Sequence, residues 1–418
     1  MRVQLFDCAP DAPEGPALFD RTFQPNETEE VCLYGLGSKD IFTVTDEGGQ
    51  RSILVRVFGG DGKDKIADNS TASGLQARTK IYNLPDTEMQ LGPESDNRTS
   101  ARPGVNACDR EQFEFNSYRP SIGLFYNAND GFGASAGTTF LRQGFRKPGC
   151  KNLYSFDVQG SLNGLFQLTA STRHRYAIGK VDAGATANYG SYFPFYRFFG
   201  LGNGTAFDQT LYDNRFYNAR YQGYTVNAFL KRTFFQHSVV RVGPTFENYT
   251  SDFANNTYLG TINTRPADVR PNTSQQRLLG LTGVFDLDLR NQPSFAQRGV
   301  RIRAQHDSYR QLSSTQSTFG LTQGFAEYCS TARIGILVTL VLKDGGAKNY
   351  GPDSDIPFYK FASLGQNEGL RGHYRNRFSG DASLYYNTEV RLALGQVKNG
   401  FLPFYYGVFG FYDQGRVY

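Results

Sequence analysis

With 418 residues the chain has room for a large β-structure plus a smaller domain, and 26 Tyr, 35 Phe and 46 Gly beside 2 Met argue against a helical bundle. A net charge of +5 is too dilute over this length to point to nucleic acid, and no four basic residues are consecutive. The longest apolar run, 334–342 (IGILVTLVL), excludes a spanning helix, which needs ~20 residues, but matches the ~9–11 of a spanning strand.

Residues 1–115 separate short β-like runs, 40–45 (DIFTVT), 53–58 (ILVRVF) and 79–84 (TKIYNL), by acidic, Pro- and Asn-containing segments. Between them, 59–66 (GGDGKDKI) fits the calcium-binding nonapeptide pattern GGxGxDxU. Such calcium sites form between stacked turns and only one copy is evident, so the expectation is a structural turn whose glycines supply positive φ. We read 1–100 as a small β-rich domain, whole or the end of a larger one, and 101–118 as a polar linker. The opening MRVQLFDCAPDAPEG lacks the apolar core of a signal peptide, which for an exported protein predicts a piece cut from a longer precursor. Cys8, Cys32, Cys108, Cys150 and Cys329 show no CxxC spacing and have four histidines for company, so no metal cluster is expected. Their thiols read as free or partly buried; a Cys8–Cys32 bridge stays open for an oxidising compartment.

Residues 119–418 have a different texture, that of repeated amphipathic strands. Leu281, Phe285, Leu287 and Leu289 alternate with Asp286, Asp288 and Arg290. Val300, Ile302 and Ala304 alternate with Arg301, Arg303, Gln305 and Asp307, and Ile334, Ile336, Val338, Leu340 and Leu342 oppose Arg333, Thr339 and Lys343. Roughly thirteen strands follow by this rule: near 120–127, 132–142, 153–161, 164–173, 180–189, 217–233 and 238–248, then 277–290, 299–308, 316–328, 331–343, 382–394 and 402–416. Alternation alone also fits a soluble sandwich. Loop lengths decide: the connections 190–215, 249–276 and 344–381 are long, polar and on one side, whereas those on the other are mostly short, as at Gln236-His237 and Lys398-Asn399-Gly400. That is the pattern of surface loops and periplasmic turns in an outer-membrane barrel, and it leaves the N-terminal domain periplasmic.

The stretch 364–391, LGQNEGLRGHYRNRFSGDASLYYNTEVR, runs from a glycine-rich, arginine-bearing loop into a strand. On that strand Asn387, Glu389 and Arg391 point one way and Tyr386, Thr388, Val390 and Leu392 the other. The last strand ends FGFYDQGRVY, with Phe409, Phe411 and Asp413 on one face. LRGHYRNRF and FYDQG together resemble the C-terminal barrel of the BamA/TamA-type outer-membrane insertase superfamily, also called the bacterial surface-antigen family, which includes the two-partner-secretion transporters. RPSIGLFYNANDGFG near the first hairpin, FFGLGNGT at 198–205 and QRG at 297–299 extend the resemblance over most of 120–418.

The resemblance implies a 16-stranded barrel with about 13 strands present and the C-terminal ones missing, and an open sheet of that kind is expected not to insert stably by itself. It further implies that the arginine loop is the sixth surface loop, folded inward and anchored by Arg371 in Leu370-Arg371-Gly372 to the lumenal Asp413 of Asp413-Gln414-Gly415. Arg371, Gly372, Asp413 and Gly415 are therefore the candidate loop–lumen anchor, a guanidinium fork on a carboxylate. Arg377, Asn387, Glu389 and Arg391 are secondary candidates for the same lumenal network.

Catalysis finds little support. His174 and His237 read as strand ends, His306 as lumen-facing and His373 as a loop residue; none has metal-ligand spacing, and neither a strand–turn–helix nucleophile elbow nor a Walker motif is evident. No cofactor, metal or nucleic-acid partner is expected. The expected partners are outer-membrane lipid and lipopolysaccharide, with unfolded outer-membrane protein clients or a secreted polypeptide. Two function classes follow: a protein-handling transporter of the bacterial outer membrane, not itself an enzyme, or a barrel that anchors or secretes a patatin-like or metallophosphoesterase hydrolase domain upstream of Met1.

Overall fold

The computed structural model describes the chain outside residues 8–14, 46–52, 71–77, 86, 94, 102–103, 105, 109–113, 128–130, 146–149, 192–195, 236, 252, 254–256, 262–274, 313–316, 367–368, 399 and 401–403. It forms two compact units, Met1–Phe113 and Glu114–Tyr418.

In the first unit β1 (Arg2–Phe6) and β2 (Ala17–Thr22) form an antiparallel pair. The strands β3 (Glu30–Tyr34), β4 (Ile41–Val44), β5 (Leu54–Phe58), β6 (Lys65–Asp68), β7 (Thr79–Tyr82), β8 (Glu88–Gln90) and β9 (Ser95–Asn97) then alternate between two parallel sheets, β3-β5-β7-β9 and β4-β6-β8. Glu30 pairs with Leu54, Val55 with Thr79 and Ile41 with Lys65, each a step of 24 residues. This part of the first unit is a short solenoid whose coils lie one on the next. Val55, Val57, Ile66 and Ile81 are buried as its core, and Tyr34, Phe58 and Tyr82 stack at one corner with centroids 4.5 and 4.8 Å apart.

The turn 59–64 belongs to this stack, and its glycines have two different reasons. Gly60 alone of the first two adopts positive φ (+91°). Gly62 is instead pressed by the preceding coil, where an added Cβ would stand 1.7 Å from the Ser38 carbonyl oxygen. The expectation of positive φ throughout is corrected accordingly. Asp64 is spent on protein donors: the Asp40 amide reaches Oδ1 at 3.1 Å and Asn83 Nδ2 reaches Oδ2 at 3.0 Å. Among the described residues no group of three or more His, Cys, Asp or Glu is placed to hold a metal. Cys32, Cys108, Cys150 and Cys329 are free thiols, and Cys8 lies outside the described residues.

The second unit begins with β10 (Ser117–Asn127), β11 (Gly131–Arg142), β12 (Asn152–Ser161), β13 (Phe166–Ile178) and β14 (Val181–Gly190). A long connection follows, carrying the two-residue β15 (Tyr196–Arg197), one helical turn α1 (Gln209–Asp213) and β16 (Asn218–Ala219). Next come β17 (Tyr221–Phe234), β18 (Ser238–Ser251), β19 (Gln276–Asp288), β20 (Gly299–Gln311), β21 (Thr318–Ile334) and β22 (Ile336–Tyr350). A second long connection holds β23 (Ala362–Leu364) and β24 (Phe378–Gly380), and β25 (Ala382–Val397) and β26 (Phe404–Val417) end the chain. The long strands make one 13-stranded sheet, antiparallel throughout and in chain order. Each of the thirteen expected segments overlaps one of them.

Burial in this sheet is inverted relative to a soluble protein. Ile122 and Leu124 are 89% and 88% exposed, and Val240, Val242, Leu281, Phe285, Ile302, Ile334 and Leu340 share that outer face. The concave face buries charge and amide groups instead: Glu247 and Asp307 are each 4% exposed, and Asp286, Asp288, Gln276 and Asn349 are also buried. In the 334–342 run Ile334, Ile336 and Leu340 stay open on the outer face, whereas Val341 on the concave face is buried against Ala296 and Cys329. An apolar exterior around a polar interior is what a hydrocarbon solvent demands. The fold is an all-β transmembrane antiparallel barrel sheet preceded by a β-rich unit. His306 falls on the outer face, in phase with Ile302 and Ala304, bonded to Thr322 Oγ1 at 2.8 Å; its lumenal assignment is corrected.

Candidate functional site

Antiparallel pairing of β25 with β26 sets Asn387 opposite Asp413, Glu389 opposite Phe411 and Arg391 opposite Phe409 on the concave face. The connection 351–381 leaves β22 at the long-loop rim and turns back onto that face. Ile356, Phe358, Phe361, Leu364 and Leu370 are its buried apolar residues. Leu364 and Leu370 pack on Val417, which brings the backbone of Arg371 to Asp413.

Asp413 receives three bonds from this one residue. The Arg371 amide and Nε donate to Oδ2, both at 2.9 Å, and Nη2 donates to Oδ1 at 2.7 Å. Nη1 donates to Glu389 Oε2, whose other oxygen accepts from Arg391 Nε at 2.5 Å. The guanidinium carbon stands 3.9 Å from the centroid of the Phe411 ring. The hydrogen bonds to Asp413, opposed by burial and helped by Glu389, raise the Arg371 pKa further above its ordinary value. Asn387 Nδ2 donates to the Gly369 carbonyl at 2.7 Å and so fixes the residue two before Arg371.

Other candidates separate. Gly415 faces the loop, where an added Cβ would lie 2.9 Å from Leu364 Cδ1, whereas a Cβ on Gly372 would meet nothing within 4 Å. Arg377 does not join the Arg371 group. It donates to Thr205 Oγ1 (2.6 Å) and to the Thr205 carbonyl (2.7 Å), with Phe378, Phe199 and Phe207 around its guanidinium. Its assignment to that network is corrected: both ends of its guanidinium are taken by Thr205, on a different segment from Asp413 and Glu389. FFGLGNGT thereby touches the same loop from another side, and Asn203 both donates to the Val417 carbonyl (2.6 Å) and accepts from its amide (2.9 Å).

Sequence reasoning missed a second polar group. Lys360, in the same connection, donates to Glu247 Oε1 on β18 at 2.8 Å and to the Tyr309 hydroxyl on β20 at 3.0 Å. The signal was present as a lone lysine inside the aromatic run PFYKF, facing an acid on the inward row of β18.

Neither a family model nor a curated protein matches the chain. Among solved structures, the chain is similar to BamA from Haemophilus ducreyi lacking POTRA domains 1–3, at 13% identity and a TM-score of 0.49. The match covers 69% of this chain and 55% of that one, so the chain spans about half the length of that structure.

Proposed function

We propose that the chain is the barrel region of an outer-membrane protein of the BamA/TamA-type superfamily. It acts in outer-membrane protein assembly or polypeptide translocation, with the inward loop held by Arg371 on Asp413. The observation that supports this is the three-bond seat of Arg371 on Asp413, made by the two motifs that carry the family resemblance. A wet concave face, a loop seated on it by charge and an apolar exterior suit a protein that moves polypeptide without covalent chemistry. Its partners are outer-membrane lipid with lipopolysaccharide and an unfolded outer-membrane or secreted polypeptide.

A second reading is an anchor for an upstream hydrolase domain. It is favoured by the first unit being a parallel solenoid, since the superfamily's usual periplasmic modules mix helices and strands. The two readings part in one experiment: the protein, once its protection from protease in liposomes of outer-membrane lipid shows that it has inserted, is offered an unfolded outer-membrane protein. Faster client folding, lowered by Arg371→Ala, supports the transporter. Client folding no faster than in empty liposomes would remove that reading and leave the anchor.

A further inference from the structure

Within the connection 351–381, Lys360 and Arg371 each touch the barrel wall through charge, in different surroundings. At Arg371 the preceding Leu370 is buried but the following Gly372, His373 and Tyr374 are exposed, and the Arg371 side chain is 30% exposed against 17% for Lys360. At Lys360 the neighbours Ile356, Phe358 and Phe361 are buried, in two apolar clusters with Phe198, Leu259, Leu278 and Phe319. The ammonium lies 4.5 Å from the Tyr309 centroid and 5.7 Å from that of Tyr359. Tyr221 stacks on Tyr359 at 4.7 Å, and Tyr249 meets it edge-on at 5.3 Å. The Tyr309 hydroxyl also donates to Glu247 Oε1, at 3.2 Å. Two buried oxygens here, Glu247 Oε2 on the wall and the Tyr359 hydroxyl on the connection, have no bonding partner.

We propose that Glu247, Tyr309 and Tyr359 form a socket for a primary ammonium, filled in cis by Lys360, which fastens the stem of the loop independently of the Arg371 catch. A compact ammonium can put separate N–H bonds on a carboxylate and a phenol while its charge faces the rings. Burial opposes the charge, but the Glu247 carboxylate, helped by the Tyr309 and Tyr359 phenol groups, outweighs it and holds the Lys360 pKa well above that of ordinary lysine. A buried pair of this kind is poorly screened by salt, whereas the more open Arg371 pair is reached by counter-ions. The tip of the loop therefore releases while the stem stays seated. The inference rests on the geometry of the second unit and holds whether or not the barrel handles polypeptide.

Hydrogen exchange on the purified full chain in detergent tests this, comparing wild type, Lys360→Ala and Arg371→Ala. Arg371→Ala is expected to speed exchange at 369–376 by about tenfold or more and to leave 353–362 within about twofold; Lys360→Ala does the reverse. Ethylammonium chloride restores slow exchange at 353–362 in Lys360→Ala, and sodium chloride at equal ionic strength does not. Should Lys360→Ala fail to fold, Lys360→Met combined with Glu247→Gln removes both charges together and carries the same two-segment comparison. Loosening of both segments by either single change, or equal rescue by the two salts, overturns the proposal. Slow exchange in the sheet strands of the wild type is read in the same data, so a failure of the barrel itself is seen separately.

Discussion

At the scale of single residues, the Arg371 seat is strong in geometry and moderate in energy. Its guanidinium is partly open to water, so its loss in Arg371→Ala should cost about 1–3 kcal/mol, below the ~3–5 of a sealed pair. That difference is measurable as faster amide exchange at 369–376, and unchanged exchange there would remove Arg371 as the catch. Asp40 makes a prediction about pH. Its carboxyl is raised above the ordinary aspartate pKa by burial and by the nearby Asp64, and its Oδ2 is buried without a partner. A raised folded pKa means that the stabilising protonated form is complete below the unfolded pKa and is lost as pH rises through the folded one. Asp40→Asn should therefore slow exchange across 30–97 at pH 7, with the gain vanishing below about pH 4. A gain that persists at low pH would show that charge is not its cause.

At the scale of elements, the same strand meets two solvents. Leu340, on the outer face of β22, is a lipid contact if the barrel spans a bilayer, and Leu340→Lys should then cost about 2–4 kcal/mol near the midplane. On a water-exposed surface the same change would stay within about 0.5 kcal/mol. Gln323 on β21 points to the concave side and is exposed there, so Gln323→Lys is the matched control. Denaturant unfolding from phospholipid vesicles separates the two, and equal midpoints for both variants would refute the lipid-facing assignment. In the solenoid, Val57 and Ile81 are buried on adjacent strands of one sheet, so Ile81→Ala should cost about 2–5 kcal/mol and loosen β5 and β7 together.

At the scale of the whole molecule, neighbour pairing is uneven. Among the described residues β10 pairs only with β11 and β26 only with β25, while β18 to β22 have a partner on each side. Alternate amides of the two outer strands have no ladder partner, so they should exchange faster than those of β19 to β21. Equal protection across all thirteen strands would mean that the edges are covered in solution.

The thirteen long strands were legible because a strand's period of two writes its environment directly into the residue order, and because the three long connections share one rim. Arg371 and Asp413 stood out for another reason: each sits in a short glycine-bearing motif, LRGHY or FYDQG, that breaks the strand alternation. The solenoid was legible in principle, since Tyr34, Phe58 and Tyr82, like Asp40 and Asp64, recur every 24 residues, yet three degenerate copies hide among polar segments. Which side chains the concave face buries, the departure of Arg377 toward Thr205 and the seating of Lys360 on Glu247 were decided only by the tertiary structure. Those contacts join residues 172 and 113 positions apart, and no local pattern encodes a partner at that range. Local order dictates the ladder of each strand; only the folding of long connections onto a curved sheet chooses which charges meet.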